Sequence, residues 1–310
     1  MNKAPTRLAG LAAFLISLMI AGTASAGNGK SALKFLPKDT MVVFTMNVER
    51  VKQSPLFQEI LKLLQKNQEV STALTLLETQ TAFDITKHVK TVVVGVQSHE
   101  PSEKVVLLVE GKFDSAKLVA FLKKKAVVKE EKHRKTTYYV IDGELSLAFM
   151  GDYLVFAPGD AAYLVEVIDV KAGKASSLKT NRTFSKLLGN ADTSRDFWGV
   201  FTFPPDVRKQ FKTQTGGYDL EGASVAMDIQ NGLVTDLRLA TTSTAAATAL
   251  ASLVKVGISA ASGDPQAKAF GLGAALSRMK VSQSKLNVDI GFDLTSAELA
   301  TLRTMLKAFL

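Results

Sequence analysis

Residues 135–158 read KTTYYVIDGELSLAFMGDYLVFAP. Aromatic and β-branched residues fill three short runs, separated at Asp142-Gly143, a strong tight-turn dipeptide, and at Gly151-Asp152, a weaker one. Connections this short join antiparallel strands, since a parallel pair needs a crossover of about a dozen residues. The stretch is a three-stranded meander, and it sets the expectation for the whole chain: α+β, with antiparallel sheets covered by helices on one face.

Working outward, the same grammar recurs. Met41 to Val48 reads as a strand, and Ser54 caps a helix that opens on Pro55 and carries Leu56, Phe57, Ile60, Leu61 and Leu64 as its apolar stripe. A second helix follows through Thr72 to Thr81. Val89 to Gln97 and Val105 to Phe113 are β-rich runs around a polar turn at Glu100-Pro101-Ser102, and Asp114 caps a helix facing inward through Leu118, Phe121 and Leu122. After the meander Asp160 is the expected cap of a helix reaching Val170, and Lys171 to Thr180 (KAGKASSLKT) reads as a linker.

Beyond the linker the order starts again. Phe184 to Leu188 is a short helix, Phe197 to Phe203 a strand and Pro205 to Phe211 a helix. Gly222 to Ile229 and Leu233 to Ala240 pair around Asn231-Gly232, the strongest short hairpin signal in the chain. Helices are expected over Thr244 to Ala261 and Gln266 to Arg278, strands over Met279 to Ser284 and Lys285 to Asp293. A last helix opens on a capping box of Thr295 and Glu298, with Leu299, Leu302, Leu306 and Phe309 as its stripe. Val43-Phe44-Thr45-Met46 and Val200-Phe201-Thr202-Phe203 begin the two halves, each followed by a Lys-Gln pair at Lys52-Gln53 and Lys209-Gln210. Together with the repeated element order this leads us to expect a tandem duplication, with repeats at 27–175 and 176–310.

The run Phe35-Leu36-Pro37-Lys38-Asp39-Thr40, the strand after it, Val48-Glu49-Arg50-Val51 and Ser54-Pro55-Leu56-Phe57 resemble the opening of a family of exported proteins found in myxobacteria and their relatives. The likeness is clearest over Leu33 to Leu64. It implies export and a duplicated α+β fold, and brings no catalytic residue, ligand or partner.

Export is also written in the segment from Met1 to Ala26. Lys3 and Arg7 form a positive start, Leu8 to Ala21 a short apolar core, and Ala24-Ser25-Ala26 a small-residue cleavage site. Cleavage after Ala26 would leave 36 basic against 29 acidic side chains, a net charge of +7. A spanning helix needs about 20 predominantly apolar residues, and no later stretch is continuously apolar over that length. No transmembrane helix is therefore expected in the mature chain, which should be periplasmic or secreted. The chain has no cysteine, which removes disulfides, thiolate metal sites and cysteine nucleophiles.

The search for chemistry is mostly eliminative. The Gly-Lys-Ser ending at Gly29-Lys30-Ser31 lacks the buried strand and the long helix that a phosphate loop requires. His88, His99 and His133 are scattered. Ser-x-x-Lys patterns at Ser31-Lys34, Ser176-Lys179 and Ser282-Lys285 lack the partner motifs of penicillin-binding enzymes. Asp142, Glu144, Asp152 and Asp160 cluster at turns, where Asp belongs for conformational reasons. Asn190, Asp192, Thr193 and Asp196 offer oxygens for calcium without the spacing of an EF-hand loop, and Gly271-Leu272-Gly273 opens no strand-to-helix turn. No cofactor or metal is expected.

What remains is charge. Lys123, Lys124, Lys125, Lys129, Lys132, Arg134 and Lys135 crowd one segment with His133, opposed by Glu130 and Glu131. Such a cluster suits anionic lipid head groups or an acidic envelope polymer. Nucleic acid is not the expected partner, because the protein is expected to be exported and no aromatic residue is interleaved with these lysines. The leading expectation is a non-enzymatic exported binding or envelope-interaction protein. Small residues in Thr244 to Ala261 and Ala267 to Leu276 support an alternative, a carrier of lipid or another apolar ligand, and a hydrolase whose site is assembled from distant residues is the third reading.

Overall fold

In the computed structural model, which describes residues 28–97, 104–159, 161–269 and 271–301, one unit ends at Asn181 and a second begins at Arg182. The chain is α+β, and every strand pairing within each unit is antiparallel. Residues 1–27, which hold the expected export signal, lie outside the described residues, as do Glu100-Pro101-Ser102, His99, Asp160 and the stripe positions Leu302, Leu306 and Phe309.

The first unit contains β1 (Val42–Asn47), β2 (Val89–Val96), β3 (Val105–Gly111), β4 (Val128–His133), β5 (Thr136–Ile141), β6 (Leu145–Met150) and β7 (Tyr153–Pro158), in the order β1-β2-β3-β7-β6-β5-β4. The meander is β5 to β7. At its first turn Asp142 (φ 50°) and Gly143 (φ 74°) are both left-handed, and Glu144 N–H donates to the Ile141 carbonyl at 3.0 Å. This is the geometry that favours Asp-Gly, because its twist matches the flanking strands.

Four helices connect β1 to β2: α1 (Val48–Val51), α2 (Pro55–Lys66), α3 (Gln68–Thr81) and α4 (Ile85–His88). Ser54 Oγ accepts from Phe57 N–H at 3.2 Å, the expected cap of α2. Asp114 likewise accepts from Lys117 N–H at 3.0 Å and caps α5 (Ser115–Lys125), which precedes β4. The sixth helix, α6 (Ala162–Lys171), follows β7 and has Ala161 at its N-cap, with no side-chain cap bond.

Burial at the centre of this sheet is two-sided. Val93, Leu108 and Val155 stand opposite one another on one face and Val92, Val109 and Leu154 on the other, and all six are buried. On the first face α6 packs against β3, β6 and β7, and Tyr163 OH meets Thr40 Oγ1 at 3.0 Å. Burial pushes the Tyr163 phenol well up. The segment before β1 joins this cover: Phe35 meets the Tyr153 ring edge-on at 5.2 Å, and Ser31 Oγ lies 2.5 Å from Tyr153 OH. Sequence patterning sees the near-continuous apolar runs of β2 and β3 but not what lies over each face. The polar segment after α6 is also held down: Leu178 is fully buried and its N–H donates to the Leu36 carbonyl at 2.8 Å.

The second unit contains β8 (Phe197–Thr202), β9 (Leu220–Asp228), β10 (Leu233–Thr241), β11 (Lys280–Ser284) and β12 (Asn287–Leu294), in the order β8-β9-β10-β12-β11. Its helices are α7 (Arg182–Asn190) before β8, α8 (Pro205–Gln214) between β8 and β9, and α9 (Thr244–Gly263), α10 (Pro265–Ala269) and α11 (Gly273–Arg278) between β10 and β11. The capping box ahead of residues 296–301 is formed: Glu298 N–H donates to Thr295 Oγ1 at 3.2 Å, and Thr295 N–H to the Glu298 carboxylate at 2.8 Å. Ala247, Leu250 and Ala251 of α9 pack with Leu220, Val288 and Ile290 as the core on one face of this sheet.

Two local expectations change. Asn231-Gly232 does mark the β9–β10 connection, but the last facing pair is Asp228 and Val234, so the loop is longer than a two-residue turn. The chain is drawn aside after Asp228, where Ile229 N–H donates to Asp196 Oδ2 at 2.8 Å. The helix expected over Gln266 to Arg278 is broken into α10 and α11, and Gly271 between them adopts φ 69°. A left-handed residue ends a helix, and glycine takes that conformation without a Cβ penalty.

Each unit follows the same path through its sheet. From the first strand the order runs second, third, last, next to last: β1-β2-β3-β7-β6 in one, β8-β9-β10-β12-β11 in the other. The first unit adds the β4–β5 hairpin at its far edge. The Lys-Gln pairs do not share this correspondence, since Lys52-Gln53 lies in a turn after α1 and Lys209-Gln210 lies within α8.

Candidate functional site

The basic segment falls on the end of α5 and on β4, a strand that sequence patterning does not signal because its KEEKH core has no apolar alternation. Pairing with β5 alone makes it a strand, and among the described residues it has no neighbour on its other side. Strand parity then divides the cluster. Glu130 and Lys132 lie on the face where Lys123 of α5 reaches Glu130 at 3.4 Å. Lys129, Glu131 and His133 lie on the opposite face, with Lys129 Nζ 2.5 Å from Glu131 and His133 Nε2 2.8 Å from Asp169 of α6. Arg134, in the left-handed turn at φ 56°, also bonds Asp169 at 2.8 Å.

Three of the seven candidate cations are therefore already paired: Lys123, Lys129 and Arg134. Hydrogen bonds from Arg134 and then His133 hold the Asp169 carboxyl below its ordinary range, and Lys129 followed by Tyr138 does the same for Glu131. Lys124, Lys125, Lys132 and Lys135 are exposed and make no ion pair among the described residues. The structure brings the segment to one edge but leaves four of the seven candidate cations, all lysines, free among the described residues.

Several of the other candidates are absorbed by local structure. His88 Nδ1 accepts from Asp84 N–H at 3.0 Å, and its ring stacks on Phe83. Asp142 accepts from Val127 N–H at 2.9 Å. Asp192 accepts from Ser194 and Arg195, bonds that lower its pKa, and Asp196 takes the Ile229 and Gln230 donors, so these acids face protein partners. Ser31, Ser176 and Ser282 lie on a 3-10 turn, a bridge-side loop and an exposed strand, with none at the start of an α-helix carrying its Lys.

A second locus has little signature in the sequence. On the sheet face opposite α9, two cross-strand rows, Ala226–Asp236–Gly291–Lys280 and Ser224–Arg238–Asp289–Ser282, floor an open groove of about 360 Å³ walled by Asn190 to Asp192. Arg238 bonds Asp289 and reaches the Asn190 carbonyl at 3.3 Å. Arg195 bonds three carboxylates, Asp192 at 3.0 Å, Asp228 at 2.6 Å and Asp236 at 3.1 Å, and this company raises its pKa, Asp228 most of all. The signal available in the sequence is period-2 polarity, with Asp236 and Arg238 alternating with Leu237 and Leu239.

No protein-family model and no curated protein matches the chain. Solved structures of TP0453 are similar at low score: its crystal form III aligns with a TM-score of 0.48 and 10% identity over 88% of this chain and 97% of that one. Crystal form I aligns with a TM-score of 0.46 and 10% identity over 91% and 98%. Nothing about site or ligand follows from likeness at this level.

Proposed function

We propose that this is a non-enzymatic exported protein, cleaved after Ala26, that binds an anionic component of the cell envelope through the basic edge of its first unit. The supporting observation is that Lys124, Lys125, Lys132 and Lys135, at the end of α5 and along the β4–β5 hairpin, are exposed and unpaired among the described residues. Each cation held near an anionic membrane surface contributes about 1 kcal/mol at low salt, so four give selective but salt-sensitive binding. Lys132, within β4, also guards a strand edge that has no neighbour among the described residues, a role that coexists with binding.

The test is co-sedimentation with phosphatidylglycerol-containing against pure phosphatidylcholine vesicles, for the native protein and for a variant with all four lysines changed to Ala. Native protein should favour the anionic vesicles and lose that preference at high salt, and the variant should show none. Equal binding of both proteins, unaffected by salt, overturns the proposal.

A second reading, a carrier of lipid or another apolar ligand, is favoured by α9. This helix has one charged residue, Lys255, and exposes Leu253 (55%) and Val256 (68%). Among the described residues it is the one helix long and apolar enough to cross a membrane by length and composition, with 17% of its most apolar window buried. Native mass spectrometry before and after organic extraction tests this reading, and absence of a lipid adduct counts against it. We also take the two units as tandem copies of one α+β unit, on the strength of their shared strand path.

A further inference from the structure

We propose that the groove on the face of the second unit's sheet opposite α9 binds a short zwitterionic ligand, a di- or tripeptide with free ends. The site is built from residues of the second unit alone, and the proposal does not rest on the function proposed for the first.

The groove carries charges of both signs, but most are internally spent. Arg238 is engaged by Asp289 and by the Asn190 carbonyl. Arg195 divides one positive charge among Asp192, Asp228 and Asp236, so that corner keeps a negative excess. Asp236 is 57% exposed and uses one oxygen, Oδ2, on Arg195. Its Oδ1 faces the space above Gly291, 3.8 Å from where a Cβ on that glycine would stand. On the other side of Gly291 is Lys280, exposed and without a partner among the described residues.

An unspent carboxylate oxygen and an unspent ammonium therefore flank a floor without a side chain. Their backbones lie two strand spacings apart, about 10 Å. An extended dipeptide spans about 7 Å, and the flexible lysine can close the difference. A simple anion drawn to Lys280 would meet the negative excess at the Asp236 corner, and a simple cation drawn to Asp236 would leave the Lys280 ammonium unanswered. A ligand with an ammonium at the Asp236 corner and a carboxylate at Lys280 satisfies both poles, and complementary placement of this kind confers selectivity. The volume, about 360 Å³, suits a ligand of this size.

The experiment is amide NMR on the isotopically labelled protein, titrated with L-alanyl-L-alanine, its N-acetyl form, its C-terminal amide and maltotriose. Dialanine should shift the Asp236, Gly291 and Lys280 signals saturably. Each blocked form should bind about tenfold more weakly, the value of one charge-assisted contact. Gly291→Leu, which fills the floor at a site where a Cβ makes only ordinary contacts, should abolish the shifts. Lys280→Ala should bring dialanine down to the affinity of its amide. The proposal is overturned if dialanine gives no saturable shift, if the blocked peptides or maltotriose bind equally well, or if Lys280→Ala leaves the discrimination intact.

Discussion

Two strand glycines in the second unit offer a controlled test of its packing. Gly222 in β9 and Gly291 in β12 both have backbones outside the left-handed region, so alanine is conformationally acceptable at each. Their surroundings differ. A Cβ at Gly222 would overlap the Phe201 carbonyl oxygen and come within 2.6 Å of Leu187 Cδ1, where α7 lies close over β9. A Cβ at Gly291 would meet nothing nearer than 3.8 Å. Replacing glycine by alanine where the conformation fits stabilises by about 0.4–1 kcal/mol through the unfolded chain. Forcing an atom into a filled space costs about 1–3 kcal/mol, and here the first obstacle is backbone, which cannot swing aside like a side chain.

Gly291→Ala should therefore be neutral or slightly stabilising, and Gly222→Ala destabilising by about 1–2 kcal/mol net. The assay is urea unfolding followed by fluorescence of Trp198, the single tryptophan, 1% exposed in β8. It reports the unit in question even if the other unfolds separately. The midpoint should fall for Gly222→Ala with an unchanged slope. A Gly222→Ala variant as stable as Gly291→Ala would refute the close approach of α7 and β8 to β9 on which the fold of this unit rests.

Three further outcomes are expected. Ser54→Ala removes the bond that caps α2 at a fully buried position and should cost about 0.5–2 kcal/mol in denaturant unfolding of the first unit. Phe156→Ala, at a side chain 1% exposed in β7, should cost about 3–5 kcal/mol by the same measurement, and a loss below about 1 kcal/mol would mean that the site is not core. The Glu298 carboxyl is held down to about 2, first by Arg278 and then by the Thr295 amide. Its unfolded value is about 4.3, so its support for residues 296–301 is complete above that pH and is lost as pH falls through about 2. Amide exchange in these residues, corrected for its intrinsic pH dependence, should rise over that window in the native protein and stay level in Glu298→Gln.

Local sequence signals account for most element boundaries. Asp142-Gly143, Ser54-Pro55, Asp114 and the Thr295–Glu298 box act within a short reach of chain, and each is found where its local chemistry puts it. The α+β class follows, because strand and helix periodicities are local as well. Pairing and cover are not local. Whether β4 exists depends on β5 offering its edge, and whether β2 and β3 are buried on both faces depends on segments far along the chain, such as α6. The same holds for the sites. The basic run was legible as charge, but only folding set Asp169 beside His133 and Arg134 and left four lysines free. The groove was legible only as alternating polarity in β10, since Asp236, Gly291 and Lys280 become neighbours only when β10, β12 and β11 align in register, and register is a property of the sheet rather than of any one strand.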